Sequence, residues 1–295
     1  SCRTAIHYRS YPYKRTIKLK YIMSEIDIIK LPHCGQTLNW QDGDTEKLWN
    51  KNRKRLGKKW LYYDIRDIEY NHNNYGYRAK EFANYRWSES VLFFGCSHVY
   101  GIGIRLEDTI PALYSKLNNC ETINMGIPGG GIETIHHNTH ALIEKKYIPK
   151  KVVIIWPDIH RYLVYTGVDF SSGQTPSNLG SWTTNRFRHD WMRYVTYPEN
   201  YITKSYLLQK SIIKVWQLEG VQVYHFNNYG GSSLTRILQQ QYPVSRRSYH
   251  QRSNYFDLQS LQFPEPIDKA RDILHFGVKT NKMYAEYIHN RSHHI

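Results

Sequence analysis

Four short runs rich in apolar residues place the strongest constraint on the fold of this chain. They cover residues 91–94, 122–125, 152–156 and 221–226, and the first and third are unbroken. An unbroken apolar run of this length is typical of a strand that is buried on both faces, as the strands of parallel sheets are. The runs therefore predict a central sheet that is covered on both sides.

Amphipathic stretches separate these runs and predict helices. One helix is expected to begin at Asp108 or Thr109, and others cover residues 132–143, 206–216 and 277–290. Strands that alternate with helices predict an α/β fold with a parallel sheet and helices on both faces. Ligand sites in such sheets lie at the carboxyl ends of the strands, so the residues that follow each run are the candidates for function.

The length of 295 residues suits one large domain or one domain with extensions. We expect three parts, namely a processed or non-native leader at 1–22, an N-terminal extension packing on the core at 23–88, and the α/β domain at 89–295. The α/β domain is predicted to carry insertions at about 165–203 and 227–270. The first is aromatic and basic, which suits either a lid over a site or an ordinary packed insertion, and the second is expected to be a polar loop with little core. No apolar run reaches about 18 residues, so no membrane-spanning helix is predicted.

The formal net charge of +15 raises a nucleic acid or another polyanion as a partner. Six basic residues lie within residues 1–22, which hold no acid and precede the first methionine, Met23. A basic, acid-poor leader also fits an organelle transit peptide, and both interpretations stay open. The basic run at 51–59 is interpreted as a solvated face. Because no helix-turn-helix, zinc-finger or RNA-recognition signature is present, a nucleic acid is not the predicted partner.

Four widely spaced cysteines without a C-x-x-C pattern argue against a zinc ribbon and a disulfide framework, and they favour reduced thiols. No secretory signal follows Met23, so the predicted location is cytoplasmic or virion-associated. Abundant residues with A/T-rich codons suit an A/T-rich genome, such as many viral ones. His136, His137 and His140 include an i, i+4 pair, but no carboxylate or cysteine stands at ligand spacing. They are interpreted as surface histidines, and no metal site and no cofactor are predicted.

The loop after the first run holds the first candidate for chemistry, in the sequence Gly95-Cys96-Ser97-His98. A serine at a tight strand-to-helix turn is exposed at the top of the sheet, where its hydroxyl can attack a carbonyl carbon. The loop is neither a G-x-S-x-G elbow, because Val99 replaces the second glycine, nor a Walker A motif. A serine in a glycine-rich loop is also an ordinary turn residue, so Ser97 alone is not diagnostic.

Two further patterns follow Ser97 along the chain. Asn124-Met125-Gly126 comes after the second run, and its glycine can bring a backbone N–H close to a ligand oxygen. Asp272 precedes His275 by three residues, a spacing that lets the carboxylate hold the imidazole while the other ring nitrogen accepts a serine proton. Each pattern is common in proteins, and a lone D-x-x-H is usually structural.

Their order along the chain resembles the sequence blocks of the SGNH, or GDSL-type, hydrolases. Residues 74–78 also look like the lead-in of many SGNH-like proteins, and the resemblance spans about 70–165 and 205–290. It implies a three-layer α/β/α sandwich with a central parallel sheet of flavodoxin-like appearance.

The resemblance also implies roles for single residues. Ser97 would be the nucleophile, His275 the general base and Asp272 its orienting partner. The backbone N–H groups of Ser97 and Gly126 would bind the oxyanion, and Asn124, in the same block, is a candidate contact of the oxyanion or the substrate.

Two departures from the family pattern bear on activity. Cys96 replaces the usual aspartate before the serine, which leaves the reactive group intact. The third block, at 155–161, lacks the asparagine whose side chain completes the oxyanion hole, and losing one such donor typically costs about 10²–10³ in turnover. Arg161 and His160 are the candidates to replace it. Asp158 would repel the developing charge and is interpreted as an ion-pair partner of Arg161 or a helix cap.

These residues together predict a serine esterase or acyl-hydrolase that acts on a small-molecule or carbohydrate ester. Transfer of the acyl group to another hydroxyl uses the same chemistry and stays open. A catalytically weak or inactive SGNH-like binding or structural protein is the second hypothesis, because the third-block asparagine is missing. The sequence does not fix the oligomeric state.

Overall fold

The computed structural model describes residues 26–62, 64–65, 67–159, 161–164, 177–179, 198–227 and 261–292. Its helices are α1 (Glu46–Leu56), α2 (Ser97–Tyr100), α3 (Ile110–Asn118), α4 (Ile132–Glu144), α5 (Pro198–Leu218) and α6 (Val278–Ser292). Its strands are β1 (Thr37–Leu38), β2 (Tyr70–Asn71), β3 (Val91–Gly95), β4 (Thr122–Gly126), β5 (Lys151–Trp156), β6 (Tyr162–Val164), β7 (Ser177–Leu179), β8 (Gln222–Asn227) and β9 (Leu261–Gln262). Within the described part of the chain, no helix is both long and apolar enough to cross a membrane.

Five strands form one parallel sheet in the order β4-β3-β5-β8-β9. Numbered along the chain, this is the order 2-1-3-4-5 of flavodoxin-like sheets. The four predicted strands are confirmed. The fifth strand, β9, is only two residues long, which is too short to give a recognisable pattern in the sequence. The order reverses between β3 and β5, and ligands of doubly wound sheets bind in the crevice beyond the carboxyl ends at such a point.

Alternate side chains of each strand build the two helical layers. Leu92 and Phe94 pack in one core cluster with α4 and α5, whereas Val91 and Phe93 pack in the other with α3 and α6. Residues with period-two spacing point to opposite faces of a sheet, so the unbroken apolar run buries both faces at once. The predicted three-layer α/β/α sandwich is therefore confirmed.

The helix expected after Asp108 shows why the local prediction worked. Thr109 is the N-cap of α3, and its hydroxyl oxygen accepts a hydrogen bond from the Ala112 N–H at 3.4 Å. Pro111 occupies the first turn, where its missing N–H costs nothing. Asn119 ends the helix in the left-handed conformation, with φ 46°.

The segment ahead of β3 packs on the sandwich through two groups of side chains. Ile29, Leu31 and Tyr77 join the cluster on the α4 side. Residues 62, 68 and 70 pack against Tyr100 and other residues of the loop after β3. The domain limits at 22 and 88 stay predictions.

The expectation of little core in the late insertion fails at Phe263, in the part of the insertion that the structure describes. The polarity of the segment 227–270 predicts little core, but Phe263 is buried and stacks on Tyr284 with ring centres 4.0 Å apart. Hydrogen bonding of β9 to β8 brings Phe263 onto the sheet, a long-range effect that local polarity hides. Residues 1–22, most of 165–203 and residues 228–260 lie outside the described residues.

Candidate active site

Ser97 is the first residue of α2 and lies directly beyond the carboxyl end of β3. The helix is only one turn long because Gly101 adopts the left-handed conformation and donates its N–H to the Ser97 carbonyl at 2.9 Å. The first N–H groups of a helix lack intrahelical acceptors. Among the described residues the Ser97 N–H has no hydrogen-bond partner, which leaves it able to bind a ligand oxygen.

His275 reaches Ser97 from a loop just before α6. Its Nε2 lies 2.8 Å from Ser97 Oγ, and its Nδ1 is hydrogen-bonded to Asp272 Oδ2. Nδ1–H donates to the carboxylate, so Nε2 carries the lone pair that can accept the serine proton. The structure thus brings the three sequence-predicted side chains into one hydrogen-bonded chain.

Asp272 is itself held in a fixed direction. Its Oδ1 accepts hydrogen bonds from the N–H groups of Leu274 and His275, each at 3.0 Å, and the residue is only 2% exposed. Ile273 between them has φ 65°, an unusual conformation for a β-branched residue. In this tight turn, Oδ2 faces the His275 ring and Oδ1 faces the backbone N–H groups of Leu274 and His275.

His98 is a neighbour of the site that no sequence pattern singled out. Its ring stacks on Phe276 with centres 3.8 Å apart and meets the His275 ring edge-on at 5.0 Å. Burial lowers the pKa of His98 well below its ordinary value, and the charges of His275, Arg161 and Lys269 lower it further. His98 is therefore a neutral ring against the imidazole of His275. In the sequence, the signal that could have identified His98 is its position next to Ser97.

Gly126 does not have the role expected of it. Its N–H donates to Asn124 Oδ1 at 2.9 Å, and Asn124 Nδ2 donates to the Val99 carbonyl at 2.9 Å. Both groups are used within the protein, so the expectation that they bind the oxyanion is corrected. A side chain at 126 would meet the backbone of α2, with Tyr100 Cα at 2.7 Å and Val99 C at 2.8 Å. Gly126 and Asn124 instead seat the helix that carries Ser97.

The same loop offers another backbone donor. Gly129 has φ 71°, and its N–H has no hydrogen-bond partner in the described part of the chain. Sequence reasoning missed it because Gly129 stands in a glycine run where any member could bend the chain.

Arg161 lies against this loop after β4. Its Nη1 donates to the Gly130 carbonyl at 3.2 Å, and its N–H donates to the Asp158 carbonyl at 3.3 Å. The positive charge of Arg161 also contributes to the lowered pKa of His98, after burial and His275. The other candidate donor, His160, lies outside the described residues.

The fold is similar to solved structures of lipolytic proteins and esterases. A lipolytic protein of the G-D-S-L family from Desulfitobacterium hafniense matches at 13% identity and a TM-score of 0.39, over 69% of this chain and 99% of that one. Another from Veillonella parvula matches at 10% identity and a TM-score of 0.39, over 70% and 99%. An acetyl xylan esterase from the rumen bacterium Butyrivibrio proteoclasticus matches at 13% identity and a TM-score of 0.39, over 70% and 64%.

No protein-family model and no curated protein matches the sequence. The first two solved structures belong by name to the family whose sequence blocks this chain resembles. At TM-scores below 0.5, none of these likenesses says what this chain acts on.

Proposed function

We propose that the protein is an SGNH-like serine esterase or acyl-hydrolase. The observation that carries the proposal is the contact of 2.8 Å between Ser97 Oγ and His275 Nε2, with Asp272 on the other ring nitrogen. A nucleophile, a base within hydrogen-bond reach and a group that orients the base are the parts that acyl transfer through serine requires.

The reaction follows from these contacts. Ser97 Oγ bonds to the ester carbonyl carbon while its proton passes to His275 Nε2, and the carbonyl π electrons move to the oxygen. The intermediate collapses, the C–O bond to the alcohol breaks, and His275 gives its proton to the departing oxygen. Water then attacks the acyl-enzyme with its proton going to His275, and collapse releases the acid and returns the proton to Ser97 Oγ.

The oxyanion of the intermediate needs donors other than the predicted Gly126. The Ser97 N–H is one, because it belongs to the residue that forms the new bond. The Gly129 N–H, in the loop after β4, and the Arg161 side chain, in the loop after β5, are further candidates. A set without the usual asparagine is expected to support slow turnover, since one missing donor costs about 10²–10³.

The substrate is proposed only as a class. An ester of a small molecule or an O-acyl group of a carbohydrate fits the chemistry of Ser97, and a sugar hydroxyl in place of water would make the same site an acyltransferase. A neutral His98 beside His275 adds no charge to the site.

A non-catalytic binding protein on the same scaffold is the second candidate. The Gly126 N–H and the Asn124 side chain are both hydrogen-bonded within the protein, and this observation favours the binding protein. Hydrolysis of short-chain p-nitrophenyl esters and acetylated oligosaccharides separates the two candidates. If the protein is an esterase, we expect it to hydrolyse these esters and Ser97→Ala to abolish the hydrolysis. The control Ser88→Ala, at an exposed serine ahead of β3, should leave the hydrolysis unchanged. A folded wild-type protein without Ser97-dependent turnover on any of these esters would favour the binding protein.

A further inference from the structure

A buried ion pair joins the N-terminal segment to the residue before Asp272. Arg271 donates from Nη2 to Asp44 Oδ2 at 2.6 Å and from Nε to Asp44 Oδ1 at 3.0 Å. The arginine side chain is 0% exposed and the aspartate 1%. The guanidinium also lies 4.0 Å from the centre of the Trp40 ring. A two-pronged contact of this kind fixes the orientation of both partners as well as their distance.

Tyr70 extends this pair to the loop that follows Ser97. Its hydroxyl donates to Asp44 Oδ2 at 2.5 Å and accepts from the Gly103 N–H at 2.8 Å. The Arg271 N–H in turn donates to the Gly103 carbonyl at 3.0 Å. These contacts close a ring through Asp44, Tyr70, Gly103 and Arg271. The ring connects the loop that follows α2, the helix of Ser97, to the loop of Asp272 and His275.

The second of these loops is strained and needs support. Ile273, with φ 65°, holds a conformation that persists in β-branched residues only where the surroundings over-determine it. Arg271 fixes the chain on one side of Ile273. On the other side, the His275 carbonyl accepts a hydrogen bond from the Ala270 N–H at 3.0 Å.

We propose that Asp44, Tyr70 and Arg271 are positioning residues that hold Ser97 and His275 at their reactive distance. This inference rests on the proposed esterase function. None of the three bonds directly to the Ser97 or His275 side chain; they act through the backbones of Gly103 and Asp272. A catalytic constellation has to be held within about 0.5 Å of its productive geometry, and a closed ring of buried hydrogen bonds does this. The N-terminal segment is then part of the catalytic support.

The test separates positioning from stability by replacing both charges at once. Removing one partner of a buried pair leaves an uncompensated charge and destabilises the fold, whereas an apolar pair of similar volume is often neutral. We therefore compare Asp44→Asn, Arg271→Met and the double variant Asp44→Leu/Arg271→Met with wild type. Measurements are the Tm, the rate at which a fluorophosphonate labels Ser97, and the NMR signal of the His275 Nδ1 proton. The double variant Lys80→Met/Glu121→Gln removes an ion pair of 2.7 Å at the amino end of β4 and is the control.

The double variant is expected to recover most of the Tm that either single variant loses. Its labelling rate is expected to stay at least tenfold below wild type, with the His275 Nδ1 proton signal weakened by exchange. For a hydrolysed ester, kcat falls and KM is unchanged. The control keeps the wild-type labelling rate. Wild-type labelling by a folded double variant, with an unchanged proton signal, would overturn the proposal.

Tyr70→Phe carries the test if the double variant does not fold, because it removes one oxygen from the ring and leaves the ion pair in place. We expect slower labelling without a matching loss of Tm, and an unchanged rate would count against the proposal. If wild type itself is not labelled at Ser97, the esterase proposal fails. The NMR signal needs no substrate, so it continues to test whether the ring holds His275.

Discussion

Ser97 Oγ and His275 Nε2 lie 2.8 Å apart although 178 residues separate them in the sequence. Both residues lie at the carboxyl edge of the sheet, Ser97 at the start of α2 directly after β3 and His275 in the loop before α6. The order of the sheet reverses between β3 and β5, and β3 is the strand that leads directly into Ser97. A serine nucleophile and its general base need a contact of this kind, within hydrogen-bond distance.

Asp272→Asn is expected to slow ester hydrolysis by about 10⁴-fold, a magnitude known from the chymotrypsin triad. The amide keeps the shape of the side chain but favours the wrong His275 tautomer, in which Nε2 no longer accepts the serine proton. Steady-state kinetics with a p-nitrophenyl ester measures the loss. Asp67→Asn, at an exposed aspartate, is the matched control and should retain full activity. Activity of Asp272→Asn within tenfold of wild type would show that Asp272 does not orient His275.

Gly126→Ala is expected to impair both folding and labelling of Ser97. The new methyl group would overlap the backbone of α2 at Tyr100 and Val99, and overpacking of this kind costs about 1–3 kcal/mol. Because α2 carries Ser97, its displacement should lower the labelling rate as well. Urea denaturation and labelling rates check the two effects. Normal stability and labelling in the Gly126→Ala variant would mean that the loop yields easily.

Acid should destabilise the protein, and His225 is one cause. Burial lowers the pKa of His225 to about 4, so between pH 6.5 and pH 4 the unfolded chain binds a proton that the folded chain rejects. Stability from this group is present above pH 6.5 and is lost as the pH falls, by about 3 kcal/mol at pH 4.

His225→Gln removes this proton uptake, so the fall in unfolding free energy between pH 7 and pH 4.5 should be smaller than in wild type. Urea titrations followed by circular dichroism at both pH values provide the comparison. An identical fall in variant and wild type would assign the acid sensitivity elsewhere.

Leu142→Ala is expected to cost about 2–5 kcal/mol of unfolding free energy. Leu142 is fully buried in the cluster between α4 and the sheet, where its removal leaves a cavity. Leu117, on α3, is 43% exposed, and Leu117→Ala should change stability by less than about 0.5 kcal/mol. Equal effects in chemical denaturation would contradict the assigned packing of α4.

The sequence predicted the elements whose pattern is local. The apolar run at 91–94 and the cap at Thr109 depend only on neighbouring residues, and both predictions are confirmed. The short strand β9 and the burial of Phe263 depend on pairing with a strand far away in the chain, so local polarity was misleading.

The candidate site likewise contains contacts that a local sequence pattern predicts and contacts that depend on residues far apart in the chain. The D-x-x-H spacing already contains the Asp272–His275 contact, because three residues suffice for the turn that forms it. Gly126 was misassigned because its hydrogen bond to Asn124 is as compatible with the Asn-x-Gly pattern as an oxyanion hole is. The contact of Asp44 with Arg271 spans 227 residues and leaves no pattern at all.

The proposed function requires Ser97 to be a nucleophile that His275 activates. Intact-protein and peptide mass spectrometry after treatment with a fluorophosphonate tests it most directly, with Ser97→Ala as the companion sample. We expect one covalent adduct that maps to Ser97, is absent from the alanine variant and forms far more slowly in His275→Gln. No adduct on folded wild-type protein, or an adduct that persists in Ser97→Ala, would contradict it.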